Sequence, residues 1–151
     1  MPQSLSKVYL HIVFSTKHRF PFLTDASIRN EMHAYLGGTC NRLGCPIIIV
    51  GGTADHVHIL CLLSRVHTIA KLLEEVKKSS SKWVKTKKRE LQKFALQNGY
   101  GIFSVSQSSV DTVKRYIETQ EGHHRKRTFQ DEYRIFLKKY EVPYDERYVW
   151  D

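Results

Sequence analysis

The chain is short of cysteine, short of acid, and lacks any long apolar run. Cys40, Cys45 and Cys61 are its only cysteines among 151 residues. They are odd in number, show no CxxC spacing and sit in or beside apolar stretches, which excludes a disulfide framework and reads as small buried residues in a reducing compartment. No segment approaches the roughly 18 to 20 apolar residues that a membrane span needs. The opening MPQSLSKVYLHIVFSTKHR has neither the basic start nor the apolar middle of a secretion signal. A cytoplasmic protein with no membrane partner is therefore expected. No glycine-rich loop runs into Lys-Ser or Lys-Thr, so no nucleotide cofactor is expected either. Repeats, linkers and low-complexity segments are absent apart from an acidic and aromatic tail, YDERYVWD. With 41% hydrophobic residues, the chain reads as one domain over 1–151.

Asp and Glu number 15 against 24 Lys and Arg, a formal charge of +9. An excess of that sign attracts polyanions through screened Coulomb forces and counterion release. It is a weak pointer to nucleic acid, because many proteins are basic without a specific partner.

The hydrophobic pattern gives the order of elements. Val8 to Phe14 alternates Val8, Leu10, Ile12 and Phe14 against Tyr9, His11 and Val13, a strand apolar on both faces and so a central one. Ile28, Met32, Tyr35, Leu36 and Leu43 recur at helical spacing from about Asp25, with Gly44 placed as a C-terminal cap. CPIIIVGG and HVHILCLL flank a five-residue turn, Gly51 to Asp55, and predict an antiparallel hairpin. A second helical stripe runs through Ile69, Leu72, Leu73, Val76, Ser80 and Trp83, and GYGIFSVS supplies a fourth strand. Ser108 before Asp111, and Thr128 before Asp131, mark the starts of two more helices. The order β-α-β-β-α-β plus C-terminal helices predicts an α+β protein of the ferredoxin-like class, with an antiparallel four-stranded sheet and helices on one face.

His56 and His58 are one residue apart on the third expected strand. Side chains at i and i+2 share a face about 6.6 Å apart, so the two imidazoles can grip one cation, although such pairs often simply hydrogen-bond on a sheet. Two ligands call for a third. Tyr116 and Gln120 share a helix face, with His123 and His124 on the same stripe, and a tyrosine attacks a phosphodiester feasibly when a divalent cation neutralises the phosphate. By spacing alone, packing of Tyr116 and Ile117 onto the sheet is the more ordinary role. Asp55 reads first as a turn residue, with orientation of an imidazole as the alternative.

His56-Val57-His58 is a His–hydrophobic–His motif. Together with GYGIFSVS, VKRYIETQ and FQDEYRIFLKKYEVPYDERYVWD, it makes nearly the whole chain resemble the single-tyrosine HUH transposases of the smallest bacterial insertion sequences. The resemblance implies that His56 and His58 are metal ligands, Gln120 the third ligand and Tyr116 the nucleophile. It implies cleavage of single-stranded DNA to a 5′-phosphotyrosine and a free 3′-hydroxyl, recognition of DNA hairpins, and a homodimer in which tyrosine helices can be exchanged. Mg²⁺ or Mn²⁺ would serve as the cofactor, histidine favouring Mn²⁺. Lys114 and Arg115 adjoin Tyr116, but no residue of the pattern stands out as a general base, and His123 or His124 could take the place of Gln120.

Between Lys77 and Arg89 seven of thirteen residues are basic and none is acidic, and Lys78, Lys82, Lys85 and Arg89 are expected to share one DNA-binding helix face. Trp83 falls on the apolar stripe, so core packing is expected ahead of base stacking. Arg125, Lys126 and Arg127 form a second basic cluster, and TKHRF at 16–20 a third. Two other readings compete: an HUH replication-initiator or relaxase-type nickase, against which the short chain speaks, and a non-catalytic or domesticated hairpin-binding protein, which has no need of His56, His58, Tyr116 and Gln120 together.

Overall fold

The structure, a computed structural model, describes residues 2–151. Four strands, β1 (Tyr9–Ser15), β2 (Ile47–Gly52), β3 (His56–Leu62) and β4 (Gly101–Val105), form one antiparallel sheet in the order β2-β3-β1-β4. β1 is central as its two-sided pattern requires, pairing with β3 on one side and β4 on the other. β2 and β3 are the expected hairpin, with an irregularity between Ile47 and Ile49. The helices are α1 (Ala26–Arg42), α2 (Ile69–Val84), α3 (Val110–Glu118), α4 (Gln120–His124) and α5 (Phe129–Lys139). No helix among the described residues is long and apolar enough to cross a membrane.

Alternation along the central strands divides the core in two. Leu10, Ile12, Phe14, Val57, Ile59 and Cys61 face α1 and α2 in the main apolar cluster. Tyr9, Leu60 and Val105 meet Val110 and Ile117 of α3 on the other side, while Val13 and Phe103 meet Phe129, Tyr133 and Leu137 of α5. Helices thus cover both faces of the sheet, where coverage of one was expected. The physical reason is the second apolar set on β1 and β4, which would otherwise lie in water.

Local chemistry sets the helix ends. Asp25 accepts from the Ser27 and Ile28 amides at the start of α1, Thr68 from Lys71 at α2, and Thr128 from Asp131 at α5. Gly44 closes α1 with φ +72, the left-handed conformation expected of that cap. Ser108 does not cap α3: it lies in a 3₁₀ turn, Gln107–Ser109, and Ser109, in helical rather than extended backbone, precedes the helix without a side-chain bond. α3 rests on bare strand backbone, because a Cβ on Gly51 would stand 2.8 Å from the Ile117 carbonyl oxygen. The C-terminal tail folds back, with Trp150 near Tyr133 and under the Arg134 guanidinium, and Arg134 paired to Glu146.

Candidate functional site

His56 and His58 are both fully buried on β3, pointing to the face covered by α3–α5. Each is fixed by a second residue. His58 Nδ1 lies 2.8 Å from His11 Nε2 on β1, and His58 Nε2 lies 2.9 Å from Glu132 Oε1 on α5. His56 Nδ1 lies 2.7 Å from Asp55 Oδ1 and 3.0 Å from Thr53 Oγ1, while its Nε2 faces Gln120 Oε1 at 3.0 Å. Asp55, expected first as a turn residue, therefore orients an imidazole.

Tyr116 is partly buried on α3, its hydroxyl donating to Glu132 Oε2, and its ring stands edge-on to His58 with centroids 5.9 Å apart. His124, at the end of α4, places Nε2 3.1 Å from Glu132 Oε2 and its ring 4.3 Å from that of His56. One carboxylate so joins His58, His124 and the tyrosine. α3 and α4 are separated by Thr119 at φ −106, ψ 24, yet Gln120 still reaches His56, and Gly122 does not stop the helix before His124. His123 stays exposed, stacked on the outer side of Tyr116.

Burial dominates the electrostatics. It pushes His58 down to about 4 and His11 to about 3, so both imidazoles are neutral near pH 7. Burial raises the Glu132 carboxyl, but hydrogen bonds from His124 and His58 outweigh it and hold the group well below the usual carboxylate range. For Tyr116, burial and then the Glu132 charge push the phenol above its ordinary value. Burial also raises Asp55, and the His56 hydrogen bond more than offsets this.

The proton pattern follows. Ionised Glu132 only accepts, so neutral His58 donates Nε2–H to it and accepts from His11 Nε2–H at Nδ1; a cation at His58 Nε2 would take the place of that proton and turn Nδ1–H toward His11. His56 Nδ1–H donates to Asp55 Oδ1, which leaves Nε2 facing Gln120 Oε1 and, at 3.7 Å, Glu132 Oε1. Ligand atoms of His56, His58, His124 and Glu132 lie within 4.8 Å of one another, a donor set that fits a divalent metal ion.

Glu132 and His11 are the residues that sequence reasoning missed. A signal was present for each: Glu132 falls on the stripe of Phe129, Tyr133 and Phe136, where a carboxylate has no reason to be buried unless it is paired, and His11 sits among the inward-alternating residues of β1.

The basic residues lie apart from this centre. Lys78, Lys82 and Lys85 are exposed at the end of α2, which covers the opposite face of the sheet. Arg89 does not share their helix face: α2 ends at Val84, and Arg89 opens a separate 3₁₀ turn after Lys88 has gone extended. Nor is the run wholly uncompensated. Lys87 and Lys88 pair with Glu31 and Asp25 around α1, and Lys77 donates to the carbonyls of Gln97, Asn98 and Gly99, burial lowering it to about 8. A groove of about 500 Å³ between α2 and residues 94–100 is lined by Lys78, Lys85 and Tyr100. Trp83 is partly buried, stacked on Tyr35 with centroids 5.2 Å apart. Arg125, Lys126 and Arg127 are exposed just after α4, and Arg125 lines a cleft with Arg29, His33 and Gln120.

A sequence model of the family described as "Transposase IS200 like" matches residues 4–120. His124 and Glu132 lie beyond the matched stretch. Among solved structures the chain is similar to a candidate transposase from Deinococcus radiodurans R1, at 20% identity and TM-score 0.62, over 80% of this chain and 95% of that one. It is also similar to a REP-associated tyrosine transposase bound to a REP hairpin, at 12% identity and TM-score 0.59, over 82% of this chain and 73% of that one. At these identities the two share the fold. No curated protein sequence matches.

Proposed function

The chain belongs to the IS200-like transposase family, and from that premise we propose that it cleaves single-stranded DNA and rejoins it to another end through Tyr116. The observation that carries the reading is one carboxylate serving two partners: Glu132 Oε2 accepts from the Tyr116 hydroxyl while Oε1 meets His58 Nε2. A nucleophile, a hydrogen-bond acceptor and a pair of imidazoles then converge from three separate elements.

In the proposed step the Tyr116 oxygen attacks a phosphodiester. The new bond joins phosphorus to the phenolic oxygen, the bond from phosphorus to the 3′-oxygen breaks, and the departing oxygen leaves as a 3′-hydroxyl with a proton from solvent. Glu132 accepts the hydrogen bond of the hydroxyl and aims its oxygen, and the phenolic proton passes on to solvent. A 3′-hydroxyl from another end reverses the step and frees Tyr116. The ester is conserved in the tyrosine linkage, so no nucleotide is consumed. His56 and His58 would hold the cation with Gln120 as third donor, and His124 and Glu132 stand close enough to add to the set. A bound Mg²⁺ or Mn²⁺ supplies charge neutralisation at the phosphate and polarises the leaving oxygen.

DNA hairpins are the proposed partner, by analogy with the hairpin-bound neighbour, with Lys78, Lys82, Lys85 and Arg89 on one side and Arg125, Lys126 and Arg127 on the other as phosphate contacts. A homodimer remains part of the proposal, but Tyr116 lies against its own chain's histidines, which supports cleavage within one subunit. The test is incubation with single-stranded DNA carrying the flanking genomic ends and Mg²⁺ or Mn²⁺. A covalent adduct is expected, with peptide mapping placing the DNA on Tyr116. Attachment at another residue, Tyr100 included, would overturn the assignment.

A further inference from the structure

A cavity of about 210 Å³ opens beside the Tyr116 side chain, between α3, α5 and β1. Three features set its chemistry. Its walls are apolar and flat, formed by Val113, Phe136 and Tyr140. Arg127 and Lys139 also line it, both exposed, and neither is paired to a carboxylate among the described residues. His11 and Glu132, both buried, form its floor, with His11 Nε2 committed to His58 and the Glu132 oxygens to His58 and Tyr116. An apolar slot with a polar floor and unpaired cations at its rim suits a flat heterocycle that carries polar groups on its edge and a phosphate on its sugar.

We propose that this cavity holds one unpaired nucleobase of the DNA strand, its ring against Phe136, its edge toward the His11 floor and its phosphate beside Arg127 and Lys139. The proposal rests on the reading of Tyr116 as the nucleophile, because that reading brings single-stranded DNA to this mouth. Extruding the base beside the scissile phosphate fixes the strand where a nucleophile displaced by about 1 Å loses on the order of a hundredfold in rate. A duplex keeps its bases stacked, so the slot selects single strands.

The test is photo-crosslinking of a 12-nucleotide oligo(dT) in which thymines are replaced by 5-iodouracil, carried out on the Tyr116→Phe chain so that no covalent cleavage intermediate competes. Crosslinks are expected at Phe136 or Tyr140, and they should fall roughly tenfold when Thr112→Trp fills the slot from its exposed rim. The Arg127→Ala, Lys139→Ala pair alters only exposed side chains, so its expected fall of similar size reads the same contact should the tryptophan variant fail to fold. The duplexed oligonucleotide is expected to give none. Crosslinks confined to other parts of the chain, or undiminished by these variants, would overturn the proposal. The two failures are separable. A wild-type adduct mapped away from Tyr116 with the Phe136 crosslink intact removes the nucleophile and keeps the slot, whereas an adduct on Tyr116 with no crosslink at the slot does the reverse.

Discussion

His11 Nε2 and His58 Nδ1 meet at 2.8 Å across the β1–β3 pair, two fully interior imidazoles of which only one faces the candidate metal centre. The bond fixes the ring plane of His58 and turns its Nε2 toward that centre. Loss of such an outer partner typically costs 10- to 100-fold in metal affinity. His11→Leu is therefore expected to weaken Mn²⁺ binding by roughly that factor in a calorimetric titration, and His11→Gln to restore most of it. Unchanged binding by the leucine variant would separate His11 from the metal site.

Tyr116→Phe deletes the oxygen proposed to attack and keeps the ring between His58 and Phe136. Hairpin binding is expected to persist and adduct formation to vanish. Stability should change by about 1 kcal/mol, the ordinary net worth of one hydrogen bond, since Glu132 keeps His58 and His124. Denaturant midpoints and denaturing gels read the two effects separately.

Acid should weaken the fold through its buried histidines. Burial, then the Arg29 and His56 charges, hold His33 at about 4, against an ordinary 6.5 in the unfolded chain. Its folded value lies below its unfolded one, so from about pH 6.5 down to about 4 the unfolded chain takes up a proton that the native state refuses, and stability falls as pH falls. The slope from one such group is about 1.4 kcal/mol per pH unit. Urea midpoints measured from pH 7 to 4.5 in chelator should show His33→Leu with a shallower decline than wild type. Parallel declines would mean that His33 is protonated in the fold.

Removing Lys82 and Lys85 together should reduce the slope of log affinity for a single-stranded hairpin against log salt. The expected decrease is about 0.7 for each phosphate that the protein no longer neutralises. An unaltered slope would take the DNA off this face of α2.

Much of the fold was legible because each strand and helix announces its period. Two-sided alternation made β1 central, and the expected Gly51–Asp55 turn made β2 and β3 a hairpin, although Gly51 and Gly52 pair within β2 and the turn itself is shorter. What the pattern did not carry was which layer covers which face, since Tyr9 and Leu10 are equally apolar to a reader of the sequence. His56, His58, Tyr116 and Gln120 do meet in space. Glu132 was hidden because a lone carboxylate on an amphipathic helix is usually solvent-facing, and only the packing of α5 over β3 and α3 turns it inward. Arg89 failed for a local reason: a helix extrapolated past Val84 puts it in line with Lys85, and the backbone at Lys88 breaks that line.

The contact between Gly51 and Ile117 makes α3 a beam lying on its support with no spacer. Ile117 is the immediate neighbour of Tyr116, so the clearance between the proposed nucleophile and the buried histidines is set by a missing methyl group. Gly51→Ala would jack up the beam at that point, because its Cβ meets the Ile117 backbone at 2.8 Å and a side-chain carbon at 2.7 Å. Histidines, tyrosine and basic surfaces would all remain. The expected result is a protein that binds hairpin DNA normally but forms the tyrosine adduct on the order of a hundredfold more slowly, and quantitative adduct kinetics beside an unchanged binding isotherm would reveal it. On the proposed chemistry, alignment becomes a tolerance of fit between a strand and a helix, open to detuning from a residue that carries no chemistry at all.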